Sequence, residues 1–143
     1  MSTRAGDLRL EIPSTLEAIE KLCGDFQVWR QVWCKGACVE VDEFAAELLL
    51  REALTNSVIH GCSGDPRKHI CCVLRAKRNR LLISIRDEGD GFDWRGAWDQ
   101  QAEPTDTHGR GIEIFRRYAE LVRFNSKGNS VTLIKRFRKV NDI

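Results

Sequence analysis

A chain of 143 residues, 42% hydrophobic and 31% charged, is long enough to build its own core and has the composition of an ordinary globular domain. Its 23 basic and 21 acidic residues leave a formal charge of +2, which gives no electrostatic case for nucleic acid or an anionic membrane as a partner. No run approaches the roughly 18 apolar residues of a membrane span, and the N-terminus lacks the apolar core of a signal peptide, so a cytoplasmic protein is expected. In that compartment Cys23, Cys34, Cys38, Cys62, Cys71 and Cys72 are expected as thiols. His60 and Cys62, with His69 and Cys71, form two His-x-Cys pairs. Compact zinc sites use longer internal spacings, which favours half-buried thiols acting as small hydrophobes.

In chain order, residues 1–6 read as a loose tail. Residues 8–13 alternate apolar and polar as a half-buried strand does, and Pro13 ends it. Ser14 or Thr15 can cap a first helix, with Glu17 and Glu20 favoured in its opening turns. Leu16, Ile19, Leu22, Cys23, Phe26 and Trp29 carry its apolar face, it reaches Trp33, and Lys35-Gly36 ends it. Asp42 is a plausible cap for a second helix running to His60-Gly61. Residues 62–66 form a turn on composition. Two strands, 69–75 and 80–86, flank a charged hairpin turn at 76–79. The sequence then passes straight into Asp87-Glu-Gly-Asp-Gly-Phe-Asp93. Residues 94–107 show little periodicity, and a structureless loop of that length in a small domain is often a functional lid. His108-Gly-Arg-Gly111 opens a third helix over 112–122. A strand from 122, a turn at 126–129 and a last strand over 130–137 complete the chain. The basic stretches 75–80 and 135–139 are most simply a hairpin turn and a solvated strand.

The second helix is unusual. At about 100° per residue, Glu47, Arg51 and Thr55 fall on one narrow polar stripe. Phe44, Ala45, Leu48, Leu49, Leu50, Ala53, Leu54, Val58 and Ile59 fill most of the remaining circumference. Glu52 and Asn56 lie inside that apolar arc, four apart and therefore on one face. A buried unpaired carboxylate costs on the order of 3 kcal/mol or more. The two are therefore either a satisfied polar pair, residues of a helix rolled toward water, or the wall of a ligand pocket.

Two further motifs bear on that choice. Asp87-x-Gly89-x-Gly91 follows a strand, where an aspartate can aim its carboxylate into a pocket and glycines let a flat ring approach. Gly109-Arg110-Gly111 precedes a helix, where free N–H groups and the positive dipole end suit phosphate oxygens. Each motif alone is weak, the first resembling any Asp/Gly turn and the second any glycine-rich helix start.

In this order, however, the Glu-x-x-x-Asn helix, the Asp-x-Gly-x-Gly turn, the loop and the Gly-x-Gly helix start resemble the GHKL ATPases. The segment Glu52-Ala-Leu-Thr-Asn56-Ser-Val-Ile-His60-Gly61 is similar to their N box, Asp87–Gly91 to their G1 box and His108–Phe115 to their G2 box. The match is nearest to the small anti-sigma-factor serine/threonine kinases of bacteria. The resemblance covers about 8–137 of a single domain spanning 1–143. It implies an α+β fold, a two-layer α/β sandwich with helices on one face of a mixed, mostly antiparallel sheet, and an ATP lid at about 94–108. It further implies ATP and Mg²⁺ as cofactors, with Glu52 as general base and Asn56 on the metal. Asp87 would take the adenine amino group, Gly89 and Gly91 the base, and Gly109, Arg110 and Gly111 the phosphates. No phosphoacceptor helix pair precedes the domain and no transducer domain follows it, so a sensor histidine kinase or a gyrase-like protein is not expected. The partners implied are a STAS-domain antagonist and a sigma factor, with a homodimer as a family expectation. A nucleotide-dependent binding protein that sequesters a regulator without phosphotransfer is the alternative.

Overall fold

Leu8, Leu10 and Ile12 turn to one side of a strand, and the helices that follow close over that side. A computed structural model describes residues 2–4, 7–37, 39–40, 42–91 and 110–139. The lid expected at 94–108, Gly109 and Cys38 lie outside the described residues. The elements are β1 (Ser2–Arg4), β2 (Asp7–Pro13), α1 (Leu16–Ala37), β3 (Val39–Glu40) and α2 (Glu43–Asn56). A π turn (Ser57–Gly61), β4 (His69–Lys77) and β5 (Arg80–Asp87) come next. The rest are α3 (Arg110–Tyr118), β6 (Leu121–Phe124), β7 (Ser130–Arg136) and β8 (Arg138–Lys139).

Six strands form one sheet in the order β1-β2-β4-β5-β7-β6, antiparallel at each pairing between described strands. A second small ladder joins β3 to β8. Strand alternation puts Ile70, Cys72, Leu74, Leu81, Ile83, Ile85, Val131 and Leu133 on the covered face. Against them pack Leu22 and Phe26 of α1, Leu49, Leu50 and Leu54 of α2, and Ile112 and Phe115 of α3. Burying each such side chain contributes about 1.5–3 kcal/mol, so the two-layer α+β sandwich is held chiefly by this layer. Trp29 and Trp33 stack at 5.9 Å, and Trp33 meets Phe137 edge-on at 5.6 Å, tying the end of α1 to the end of the sheet.

Several boundaries differ from the sequence reading. Ser2–Arg4, expected as tail, pairs with Arg9–Asp7 as an edge strand. Main-chain bonds hold that pair, and polar alternation does not advertise them. The hairpin turn shrinks to Arg78-Asn79, with Ala76 and Lys77 drawn into β4. Arg78 takes a positive φ of 58°, as a tight two-residue turn demands. Helix α1 continues through Gly36 to Ala37. Helix α3 stops at Tyr118, because the Glu120 amide already donates to the Ile134 carbonyl at 2.8 Å and starts the β6 ladder.

Asp42 does cap α2: its Oδ1 accepts from the Ala45 amide at 3.1 Å. Asp42→Ala should therefore lower stability by about 1 kcal/mol, read as a lower thermal midpoint, and Asp42→Ser should recover most of it. Thr15 Oγ1 plays the same part for α1, accepting from Ala18 at 3.1 Å.

Candidate nucleotide-binding site

Ala53, Asn56, Ser57, His60 and Gly61 face a common cleft, spaced by three and four as one side of a helix requires. The helix does not remain α to its end. From Ser57 to Gly61 it widens into a π turn, closed by the Cys62 amide on the Ser57 carbonyl at 2.8 Å. Such turns are frequent at functional sites. Ile85 and Asp87 of β5, Gly111, Ile112 and Phe115 of α3, and the β6–β7 hairpin complete a cleft of about 230 Å³. Its floor is apolar, and a few convergent polar groups rim it, as a small-molecule site requires.

Asp87 is the buried charge of this cleft, 7% exposed. Its Oδ1 accepts from the Gly89 amide at 2.7 Å, and the Ser57 hydroxyl donates to the same carboxylate. Burial holds its carboxyl above the ordinary carboxylate value. The bonds from Gly89 and Ser57 and the charges of Lys68 and Lys127 oppose that shift without reversing it. The main chain of Asp87 is clamped from β7. Its amide donates to the Asn129 carbonyl at 2.9 Å, and Asn129 Nδ2 donates to the Asp87 carbonyl at 3.1 Å. Asn129 is in turn held by Asn125 Nδ2 at 2.6 Å, and Asn125 Oδ1 collects the amides of Gly128, Asn129 and Ser130.

Glycines keep these parts close. A Cβ on Gly89 would stand 2.8 Å from Asp87 Oδ1 and nearer still to the Gly61 carbonyl. Gly91 has φ +90° with its Cα directed at the Lys127 carbonyl. A Cβ on Gly111 would lie 2.6 Å from Asn56 Nδ2, so the start of α3 rests against the Asn56 amide. Gly89→Ala is therefore expected to cost about 2 kcal/mol or more in stability, measured by denaturant unfolding, because the atom it meets is backbone that cannot rotate away.

The structure thus brings Asn56, Asp87 and Gly111 to one cleft, with Gly89 and Gly91 packed behind Asp87 on Gly61 and Lys127. The backbone of Arg110 is the first residue of α3, and Gly109 lies outside the described residues. Glu52 is half-buried one turn before Asn56 and is not on the cleft wall. Burial raises its carboxyl, and among the described residues nothing bonds to it. The apolar arc around it is only partly buried: Phe44 is 66% and Ile59 51% exposed. Sequence reasoning missed Ser57 and Asn129. Ser57 follows Asn56 on the cleft face and had a signal in that position; Asn129 had none near Asp87, 42 residues away. Among the described residues no group of three or more His, Cys, Asp or Glu gathers to hold a metal ion, and Cys23, Cys34, Cys62, Cys71 and Cys72 are free thiols.

A family model described as the histidine kinase-like ATPase domain matches residues 12–135, and so takes in both walls of the cleft and the helix between them. The chain belongs to the histidine kinase-like ATPase family. A histidine kinase-like ATPase domain implies that the chain binds ATP. The chain is also 35% identical over 103 residues to an anti-sigma F factor of Oceanobacillus iheyensis, a match covering 64% of this chain and 67% of that protein. Among the described residues, no helix of this ATPase domain is long and apolar enough to cross a membrane.

Mg²⁺ can be tested against the side chains present. It is a hard cation that takes oxygen ligands and keeps several waters, so one protein oxygen beside the phosphates suffices. The Asn56 amide lies in the cleft beside the α3 start and has no hydrogen-bond partner among the described residues. The residues fit the ion.

Proposed function

We propose that this protein is an ATP-dependent serine/threonine kinase of the anti-sigma-factor type, which phosphorylates a STAS-domain antagonist and so controls a sigma factor. The observation that carries this reading is Glu52: a half-buried carboxyl without a hydrogen-bond partner among the described residues, one turn from Asn56 on the helix that walls the cleft. A protein that only bound ATP would have no use for such a group, since an unpaired carboxylate there costs stability.

The roles follow from the chemistry of each side chain. Asp87 accepts a hydrogen bond from the adenine amino group, with its carboxylate held in place by Ser57 and Gly89. Gly89 and Gly91 let the turn after Asp87 pack closely on Gly61 and Lys127, which holds the carboxylate toward the base. The N–H groups of Arg110 and Gly111, at the positive end of α3, hold phosphate oxygens, and Gly109, which precedes them in sequence, is assigned the same role. Asn56 holds Mg²⁺, which neutralises phosphate charge when bound. Glu52 takes the proton of the substrate hydroxyl as that oxygen bonds to the γ-phosphorus, and ADP leaves with the electron pair of the broken bond. Burial raises the Glu52 carboxyl above its ordinary value, the direction that strengthens it as a base. Positioning and charge neutralisation supply the rest of the catalysis. The similarity to an anti-sigma F factor supports the sigma-factor link.

The test is transfer from γ-labelled ATP with Mg²⁺ into the proteins of the host's own lysate, compared with Glu52→Ala. A small labelled band present with wild type and absent with the variant is expected. ATP binding without any phosphoprotein would replace this reading with nucleotide-dependent capture of a regulator.

A further inference from the structure

The face of the sheet turned away from the helices has a composition that folding does not explain. Its cross-strand rows can be read from the register. One row is Glu11, Cys71, Arg86 and Ser130, and the next is Arg9, Val73, Ser84, Thr132 and Arg123. Then come Asp7, Arg75, Leu82, Ile134 and Leu121, and finally Lys77, Arg80 and Arg136. These rows hold seven cations, all exposed, against two carboxylates. The whole chain carries only +2, and α1, α2 and α3 together carry seven acidic and seven basic residues. The basic excess belongs to this face.

Two features mark it as a site. Lys77 stands directly opposite Arg80, and Arg80 opposite Arg136, so three cations share one row about 10 Å long. Like charges directly opposite each other destabilise a sheet, and alternating signs would serve solubility better. Arg75 reaches Asp7 at 3.8 Å, whereas Arg9, Lys77, Arg80, Arg86, Arg123 and Arg136 have no ion pair among the described residues. In the middle, Val73, Leu82 and Ile134 remain half-buried, within reach of the arginine stems around them. A half-apolar centre inside a cationic rim is the layout of a protein interface.

We infer that this open sheet face is a docking surface for an acidic segment of a partner protein, separate from the nucleotide cleft and independent of whether phosphate is transferred. Charge complementarity selects an anionic partner. RNA is disfavoured because sheets that read it stack bases on aromatic rings, and none of the residues in these rows is aromatic. A lipid surface is disfavoured because the face offers no large apolar wedge; Leu121 at its edge is 38% exposed. Strand spacing gives a contact of roughly 500 Å² on this side, which is the size of a weak, transient, salt-sensitive interface.

Fluorescence anisotropy with a labelled oligoglutamate peptide tests this. Wild type should bind it, and raising NaCl from about 50 to about 300 mM should weaken binding about tenfold. Arg80→Glu with Arg136→Glu should abolish binding, while Lys21→Glu with Lys35→Glu, an equal charge change on α1, should leave it within about twofold. Arg80→Thr guards against misfolding: it should raise the thermal midpoint by removing the opposed charges while still weakening the peptide several-fold. Equal loss in both double variants would reduce the effect to net charge and overturn the site. So would no binding by wild type at low salt, or tighter binding of an RNA oligomer or of phosphatidylserine vesicles than of the peptide.

Discussion

Asp87→Asn should weaken ATP binding by about 30-fold, the equivalent of about 2 kcal/mol, with little change in fold. The size follows from hydrogen-bond direction. One carboxylate oxygen already accepts from the Gly89 amide, and under the proposed function the other accepts from the adenine amino group. An amide has a single acceptor oxygen. If it faces Gly89, its NH₂ meets the adenine NH₂; if it faces the base, its NH₂ meets the Gly89 N–H. Either orientation sets donor against donor in a cleft where Asp87 is 7% exposed. Ser57 cannot relieve this: its hydroxyl can turn to accept from the new NH₂, but it supplies no second acceptor for the Gly89 amide or the base. Isothermal calorimetry with ATP measures the loss, and unchanged affinity would remove Asp87 from base recognition.

The same residue gives a pH signature with a defined sign. Burial raises Asp87 above the ordinary carboxylate value in the free protein, so the folded state without nucleotide holds its proton more tightly than the unfolded chain does. The ionised carboxylate therefore costs the free protein some stability, and that cost disappears as pH falls through the raised value. A base that needs the ionised form must expel the proton. Affinity should decline as pH falls through that value, and ATP binding there should release protons, seen as a dependence of the heat on buffer. Asp87→Asn should lose both effects.

How far the sequence disclosed this site depended on the range over which its order is encoded. Asn56 and Glu52 stood out because an inward polar residue on an apolar helix breaks a short-range pattern. Asp42 was legible for the same reason, since a cap acts on an amide three residues away. The wheel failed where the helix stopped being regular. Each residue of the π turn advances the chain by less than an α residue, so the 100° projection loses phase after Ser57 and misplaces Ile59. Phe44, exposed at the other end, instead meets Tyr118 of α3 edge-on at 6.2 Å. Asn129 was out of reach because its bond to Asp87 exists only through the β5–β7 register, which a local pattern cannot contain. The basic rows of the open face were likewise invisible: stretches 75–80 and 135–139 read separately as a turn and a strand, and only the register aligns Lys77, Arg80 and Arg136.

Glu52→Ala should lower phosphotransfer by about 10²–10⁴-fold while ATP affinity stays within about threefold, because a general base acts in the transition state and touches no part of the bound nucleotide. Glu52 lies off the cleft wall, which is consistent with that separation. Removing its half-buried, unpaired carboxylate should also relieve desolvation, so the variant should unfold at a slightly higher temperature than wild type at neutral pH. A residue kept against its own stability cost has to be needed elsewhere, and combined loss of transfer with gain of stability would identify that need as catalysis. Single-turnover transfer to the unphosphorylated protein substrate should also fall as pH drops through the raised Glu52 value, since only the ionised form can take the hydroxyl proton. Glu52→Gln keeps the shape but cannot accept that proton, and should be as slow as Glu52→Ala with the acid limb lost. Reduced ATP affinity in Glu52→Ala with transfer per bound nucleotide unchanged would make Glu52 a binding residue and remove it as the proposed base.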